Sequence, residues 1–134
     1  MKTRIDIACL VDDDPVYIFA TKKVMTMANF CNSFLVFNNG REALDSLIAI
    51  MQSGAKMPDV ILLDVNMPVM DGWQFLDEFI KVKPLQKTII YIVTSSIDPE
   101  DIQRAKSYSE VSDYIVKPVT EKTLHNILSD FQQA

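Results

Sequence analysis

Four consecutive apolar residues, Val60, Ile61, Leu62 and Leu63, run straight into a carboxylate at Asp64, and no other stretch restricts the fold of this chain as tightly. A strand apolar on both faces has no solvated side, so it belongs inside a parallel sheet that helices cover above and below. Asn66, Met67-Pro68 and Asp71-Gly72 are turn formers, and a segment of helical apolar period starts near Trp73. Asp64 therefore stands at the carboxyl end of its strand, the edge where open α/β sheets hold their ligands. Asp71-Gly72, directly before the helix, is better placed to cap it, which leaves Asp64 without a structural task.

The rest of the chain alternates between the same two periods. Ile5 to Val11 reads as a strand and Pro15 to about Ala28 as a helix with Val16, Ala20, Val24 and Met27 on its inner face. Phe34 to Phe37 is a short strand closed by Asn38-Asn39-Gly40, and Leu44, Leu47, Ile48 and Met51 form the stripe of a second helix. After a loop from Gln52 to Pro58 and the central strand, Trp73, Phe75, Leu76, Phe79 and Ile80 line a third helix that stops before Pro84. Thr88 to Val93 is the fourth strand. Asp98-Pro99-Glu100-Asp101 starts a fourth helix that runs to about Tyr108. Tyr114 to Val116 is the fifth strand, and Thr120 caps a last helix striped by Leu124, Ile127, Leu128 and Phe131.

Strand then helix, five times over, implies right-handed crossovers. The expected fold is α/β and flavodoxin-like: a (βα)5 doubly wound, five-stranded parallel sheet of order 2-1-3-4-5 with helices on both faces. The 134 residues are expected to form a single domain, structured from about 4 to 131, without an effector domain.

Charge and composition exclude several classes of function. The net charge of −5 and the isolated pair Lys22-Lys23 argue against a nucleic-acid surface. The basic start of the chain leads into Asp6 and then Asp12-Asp13-Asp14, which is wrong for a signal peptide, and no stretch approaches the roughly 20 apolar residues of a membrane helix. Cys9 and Cys31 have no metal-ligand or redox spacing and read as thiols of a reducing compartment, so a cytoplasmic protein is expected.

The chemistry collects at the strand ends. The first strand ends in Asp12-Asp13-Asp14, the third in Asp64, the fourth in Thr94-Ser95-Ser96 and the fifth in Lys117-Pro118. In a 2-1-3-4-5 sheet the first and third strands are neighbours, so Asp12, Asp13 and Asp64 converge. Asp14, followed by Pro15, suits a helix cap and leaves Asp12 and Asp13 for a cation. Mutually repelling carboxylates with room for water suit Mg²⁺, helped by a lysine.

The segments LVDDDP, ILLDVNMPVMDG, IVTSS and DYIVKP, in that order and spread over the whole chain, resemble the receiver domains of two-component response regulators, the fold of the chemotaxis response regulator. The resemblance implies that Asp64 accepts a phosphoryl group from a phosphohistidine on a sensor histidine kinase or histidine phosphotransfer protein. It implies that Asp13, Asp64 and the backbone carbonyl of Asn66 hold Mg²⁺ directly and Asp12 through water. Thr94 and Lys117 would contact the phosphoryl oxygens, Tyr114 would be the switch aromatic, and the bond before Pro118 would be cis. Asn66 and Ser96 stand at the positions that tune dephosphorylation, and Ser95 stands where the family most often has alanine or glycine. Output would pass to a target protein on the face made by the fourth helix, fifth strand and fifth helix, with no enzymatic activity beyond the domain's own phosphorylation and slow dephosphorylation. His125, the one histidine, is expected to be a helix residue without a catalytic part.

Alternative readings within the family are a relay intermediate that passes phosphate to a histidine phosphotransfer protein, and a protein-binding module that is never phosphorylated. A flavodoxin-like mononucleotide binder would want glycine or hydroxyl residues where this chain has three acids. A haloacid-dehalogenase-type phosphatase resembles a DxD pattern, and the second position here is Asn66, not an acid.

Overall fold

The computed structural model describes residues 5–82 and 87–133, and within them strands and helices alternate. In chain order they are β1 (Ile5–Val11), α1 (Pro15–Met27), β2 (Cys31–Phe37), α2 (Gly40–Ser53), β3 (Val60–Leu63), α3 (Gly72–Val82), β4 (Ile89–Thr94), α4 (Pro99–Lys106), β5 (Val111–Val116) and α5 (Glu121–Gln133). All strand pairs are parallel and the order is β2-β1-β3-β4-β5, the doubly wound flavodoxin-like sheet that the alternation predicts. Pro84, expected to stop the third helix, lies outside the described residues. No helix among them is long and apolar enough to cross a membrane.

Alternation along the strands feeds two cores. Cys9, Val11, Ile61, Leu63, Ile90 and Ile92 point to one face, where Leu44 and Leu47 of α2, Phe75, Leu76 and Phe79 of α3 and Ala105 of α4 pack on them. Ala8, Leu10, Val60, Leu62, Tyr91 and Val93 point to the other, under Ile18 and Met25 of α1 and Leu124, Ile127 and Phe131 of α5. β3 is buried at every position, as its unbroken apolar run requires.

Local signals set the helix starts. Asp14 accepts hydrogen bonds from the N–H groups of Val16 and Tyr17, with Pro15 at the first helical position. Asp71 and Gln74 cap each other reciprocally at 2.9 and 3.0 Å, so Asp71 starts α3 and Asp64 is left free of that duty. Asp98 caps α4, and the Thr120 hydroxyl accepts from the Thr123 N–H at 3.2 Å ahead of α5.

The inner face of α1 differs from expectation. Ile18, Thr21 and Met25 are buried, while Val16 and Met27 are 75% and 80% exposed and Ala20 also faces solvent. The helix is apolar around most of its circumference, so two stripes of the same period compete, and the buried one contains a threonine. Both edge strands also begin earlier than their apolar residues indicate, at Cys31 and Val111, because the polar Asn32, Ser33, Ser112 and Asp113 occupy exposed positions. α4 ends at Lys106, two residues short of Tyr108.

Candidate functional site

The carboxyl edge of the sheet gathers residues from β1, β3, β4 and β5. Parallel pairing continues one residue past both central strands: the Asp12 N–H donates to the Phe37 carbonyl at 3.0 Å and the Asp64 N–H to the Val11 carbonyl at 2.9 Å. That ladder fixes the two acids side by side, and both are buried. Asp13 between them in sequence is exposed. One carboxylate oxygen from each of Asp12, Asp13 and Asp64 can be chosen so that all lie within 4.8 Å of one another.

Lys117 enters from the end of β5. Its N–H donates to the Thr94 carbonyl at 2.9 Å, and the following bond to Pro118 is cis. Its ammonium lies 2.7 Å from Asp12 Oδ2 and 3.6 Å from Asp64 Oδ2. Asp12 is occupied on its other oxygen by the Asp14 N–H at 2.9 Å. Asp64 Oδ1 accepts only a long bond, 3.3 Å, from the Asn66 N–H. The Asp64 carboxyl is held above its ordinary pKa by burial first and by the Asp12 charge second, with Lys117, the Asn66 N–H and Thr94 acting in the opposite direction. Of the two buried carboxylates, Asp64 has the longer contacts, 3.6 and 3.3 Å against 2.7 and 2.9 Å for Asp12.

Three carboxylates face one ammonium. All the donors are hard oxygens, and exposed Asp13 leaves a solvent-open side, so the set fits a Mg²⁺ that keeps several waters rather than a soft or fully caged metal. Asn66, exposed, follows two residues after Asp64, and its carbonyl is on the segment that carries the chain over this edge.

Thr94 closes the site from β4. It is fully buried, and its Oγ1 accepts a 3.3 Å bond from the Ser96 N–H. Ser96 Oγ donates to Asp101 Oδ2 at 2.7 Å and accepts from the Asp98 N–H at 3.2 Å, tying the loop after β4 to the first turn of α4. The half-buried Tyr114 of β5 donates its hydroxyl to the Ser96 carbonyl at 2.8 Å. Thr94, Ser96 and Tyr114 are therefore one hydrogen-bonded run from the sheet edge to the α4–β5 surface. Ser95 is exposed, and His125 lies exposed on α5, away from these strand ends.

Two features escaped the sequence reading. Tyr17, in the first turn of α1, puts its ring 4.0 Å from the Lys117 ammonium. Its place four residues after Asp13 was a usable signal, since the first turn of the helix after β1 starts at the same edge. Gly72 is the second: a Cβ there would collide with the Asp64 carbonyl oxygen and lie 2.7 Å from Val65 Cα, so only glycine lets α3 start this close to the acid's backbone.

The family model described as response regulator receiver domain matches residues 8–129. Over 95% of its length the chain is 24% identical to a probable methanogenesis regulatory protein of Methanothrix harundinacea, of which it covers 81%. It is 37% identical over 93% of its length to a protein-glutamate methylesterase/protein-glutamine glutaminase of Treponema pallidum, but spans only 30% of that protein. A crystal structure of a two component response regulator from Cytophaga hutchinsonii superposes with a TM-score of 0.90 at 28% identity, covering 98% of this chain and 99% of that one. With five parallel strands in the order 2-1-3-4-5 and acids, threonine and lysine at their carboxyl ends, the chain belongs to the response regulator receiver domain family.

Proposed function

We propose that Asp64 is the phosphoryl acceptor of this receiver domain and that the group comes from a phosphohistidine of a sensor histidine kinase or histidine phosphotransfer protein. The observation that carries this reading is the position of Asp64: buried at the end of β3, 3.6 Å from Lys117, and accepting one long hydrogen bond. An Asp64 oxygen attacks the phosphorus, the P–N bond to the donor imidazole breaks with its electron pair leaving on nitrogen, and an acyl phosphate forms. Asp12, Asp13, Asp64 and the Asn66 carbonyl are the proposed Mg²⁺ ligands, with Asp12 acting through water. The ion, when bound, supplies charge neutralisation to the phosphoryl group. Lys117 turns from Asp12 to a phosphoryl oxygen, and the Thr94 hydroxyl donates to another. Asn66 and Ser96 border the phosphoryl group and tune its loss.

Thr94, Lys117 and Tyr114 form the proposed switch. A hydrogen bond to a charged group supplies about 1.5–3 kcal/mol, whereas near-complete reversal of a two-state equilibrium takes about 5.5 kcal/mol. Thr94 alone is insufficient. The bonds Ser96 N–H to Thr94 Oγ1 and Tyr114 O–H to Ser96 carbonyl supply the connection by which displacement of the loop carries Tyr114 inward and reshapes α4, β5 and α5 for a target protein. A groove of about 300 Å³ between β5 and α5, lined by Tyr114, Val116, Asn126 and Asp130 among others, supports a protein target on that face. A cytoplasmic site of action fits a buried thiol at Cys9.

Intact mass spectrometry after incubation with acetyl phosphate tests the reading. One phosphoryl group gained only with Mg²⁺, and not by Asp64→Asn, is the expected result; Mg²⁺-independent gain, or gain by the variant, overturns it.

A further inference from the structure

The Lys117 ammonium has two neighbours of different kinds. On one side are Asp12 and Asp64, at 2.7 and 3.6 Å. On another is the ring of Tyr17, its centroid 4.0 Å from Nζ, well inside the roughly 6 Å range of a cation–π contact. The lysine side chain is only 16% exposed, so this contact is partly desolvated and stronger than a surface one. The Tyr17 hydroxyl is buried without a hydrogen-bond partner. Thr21 lies near it outside hydrogen-bond geometry, so the ring stands against the Lys117 ammonium while its polar end is unused.

That arrangement meets a need of the reaction. Lys117 is paired with Asp12, one of the carboxylates assigned to the cation, and has to exchange that partner for phosphoryl oxygens. During the exchange its strongest anchor weakens, and a flexible four-carbon stem beside an open edge swings toward water. A second anchor must hold the ammonium without competing for it as a charge. The face of an aromatic ring does this, because its attraction is modest and does not demand the ammonium's three donors.

We propose that Tyr17 is a positioning residue for phosphoryl acceptance, its ring retaining the Lys117 ammonium at the sheet edge while Lys117 passes from Asp12 to the phosphoryl group. The inference rests on the reading of Asp64 as acceptor and Lys117 as its phosphoryl contact. It assigns the effect to the ring and none to the hydroxyl.

Two measurements on the whole chain test it, with acetyl phosphate as donor; its phosphoryl passes to an Asp64 oxygen as the P–O bond to acetate breaks and acetate leaves. The first is the NMR shift of the Lys117 ε-methylene protons, whose carbon is bonded to the ammonium over the ring. An upfield ring-current shift is expected in the wild type and in Tyr17→Phe, and its loss in Tyr17→Leu; this readout needs neither Mg²⁺ nor turnover. The second is the initial rate of phosphoryl gain with Mg²⁺. Tyr17→Leu is expected to be about fivefold slower, a cation–π contact's typical worth, and Tyr17→Phe to rescue that loss. Absence of the ring shift in the wild type, an unchanged rate in Tyr17→Leu, or a Tyr17→Phe rate as low as that of Tyr17→Leu each overturns the inference. A wild type that takes no phosphoryl group refutes the acceptor reading itself, and is seen before any Tyr17 variant is compared.

Discussion

Replacing Asp64 by asparagine should make this protein more stable at neutral pH in the absence of divalent cations. Asp64 is 6% exposed, and its charge meets opposing neighbours. Asp12, also buried, has an oxygen within 4.8 Å, a repulsion of at least about 3.5 kcal/mol at an effective dielectric of about 20. Asp13 is exposed, and within the same distance in a water-like medium adds about 1 kcal/mol. Lys117 at 3.6 Å returns about 4.6 kcal/mol. Attraction and repulsion nearly cancel, so the cost of withdrawing the carboxylate from water decides the sign, and one long hydrogen bond offsets it only in part. Asparagine keeps the acceptor for the Asn66 N–H and removes the charge. The expected gain is about 2 kcal/mol; at 2.1 cal/mol/K for each of 134 residues this raises Tm by about 7 °C.

The pH dependence follows from the direction of the shift. The folded-state pKa of Asp64 is raised above its ordinary 3.8, so its contribution to stability is fully present below that value and is lost as pH rises through the folded value. The gap between variant and wild type should therefore be near zero in acid and open toward neutrality. Urea unfolding of both proteins across that range measures it. Mg²⁺ at about 100 times its Kd should add about 2.7 kcal/mol to the wild type and close the gap. An Asp64→Asn protein no more stable than the wild type at pH 7 without Mg²⁺ would mean that burial of the Asp64 charge is not destabilising.

Lys117→Met leaves Asp12 and Asp64 buried with no cation, and should cost about 3 kcal/mol in chemical denaturation, recovered in part by Mg²⁺. Val69 holds a positive φ of 68° in a tight turn whose Met70 N–H donates to the Pro68 carbonyl at 2.8 Å, a strained conformation for a β-branched residue. Val69→Gly should raise stability by about 1 kcal/mol after allowing for the freer unfolded chain, which a shift of the urea midpoint at constant slope would report. Gly72→Ala sets a methyl against the Asp64 carbonyl and Val65 Cα, both backbone. A loss of about 2–3 kcal/mol is expected from denaturation, together with slower phosphoryl gain from acetyl phosphate.

What was legible in the sequence was what one-dimensional pattern encodes. Val60 to Leu63 announced a doubly covered strand because every residue is apolar, and Asp71 before Gly72 announced the α3 cap because a side chain bonding its neighbours is a local event. The sheet order then brought Asp12, Asp13 and Asp64 together without further information. α1 was misread where amphipathicity is weak: Thr21 is buried and Val16 and Met27 are not, a choice made by α5 and the sheet rather than by the helix's own pattern. The early starts of β2 and β5 were hidden because edge strands tolerate polar residues on their open positions. The spacing of Tyr17 from Asp13 sets its ring at the sheet edge, but its contact with Lys117 joins residues one hundred positions apart through side-chain geometry that the spacing does not encode.

The function proposed for this domain depends on which carboxylate receives the phosphoryl group. An acyl phosphate is reduced by borohydride to the alcohol, so the phosphorylated aspartate is recovered as homoserine and can be located by peptide mass mapping. After incubation with acetyl phosphate and Mg²⁺, homoserine is expected at position 64 alone. Homoserine at position 12 or 13, or a borohydride-resistant phosphoryl group retained on His125, would contradict the proposal.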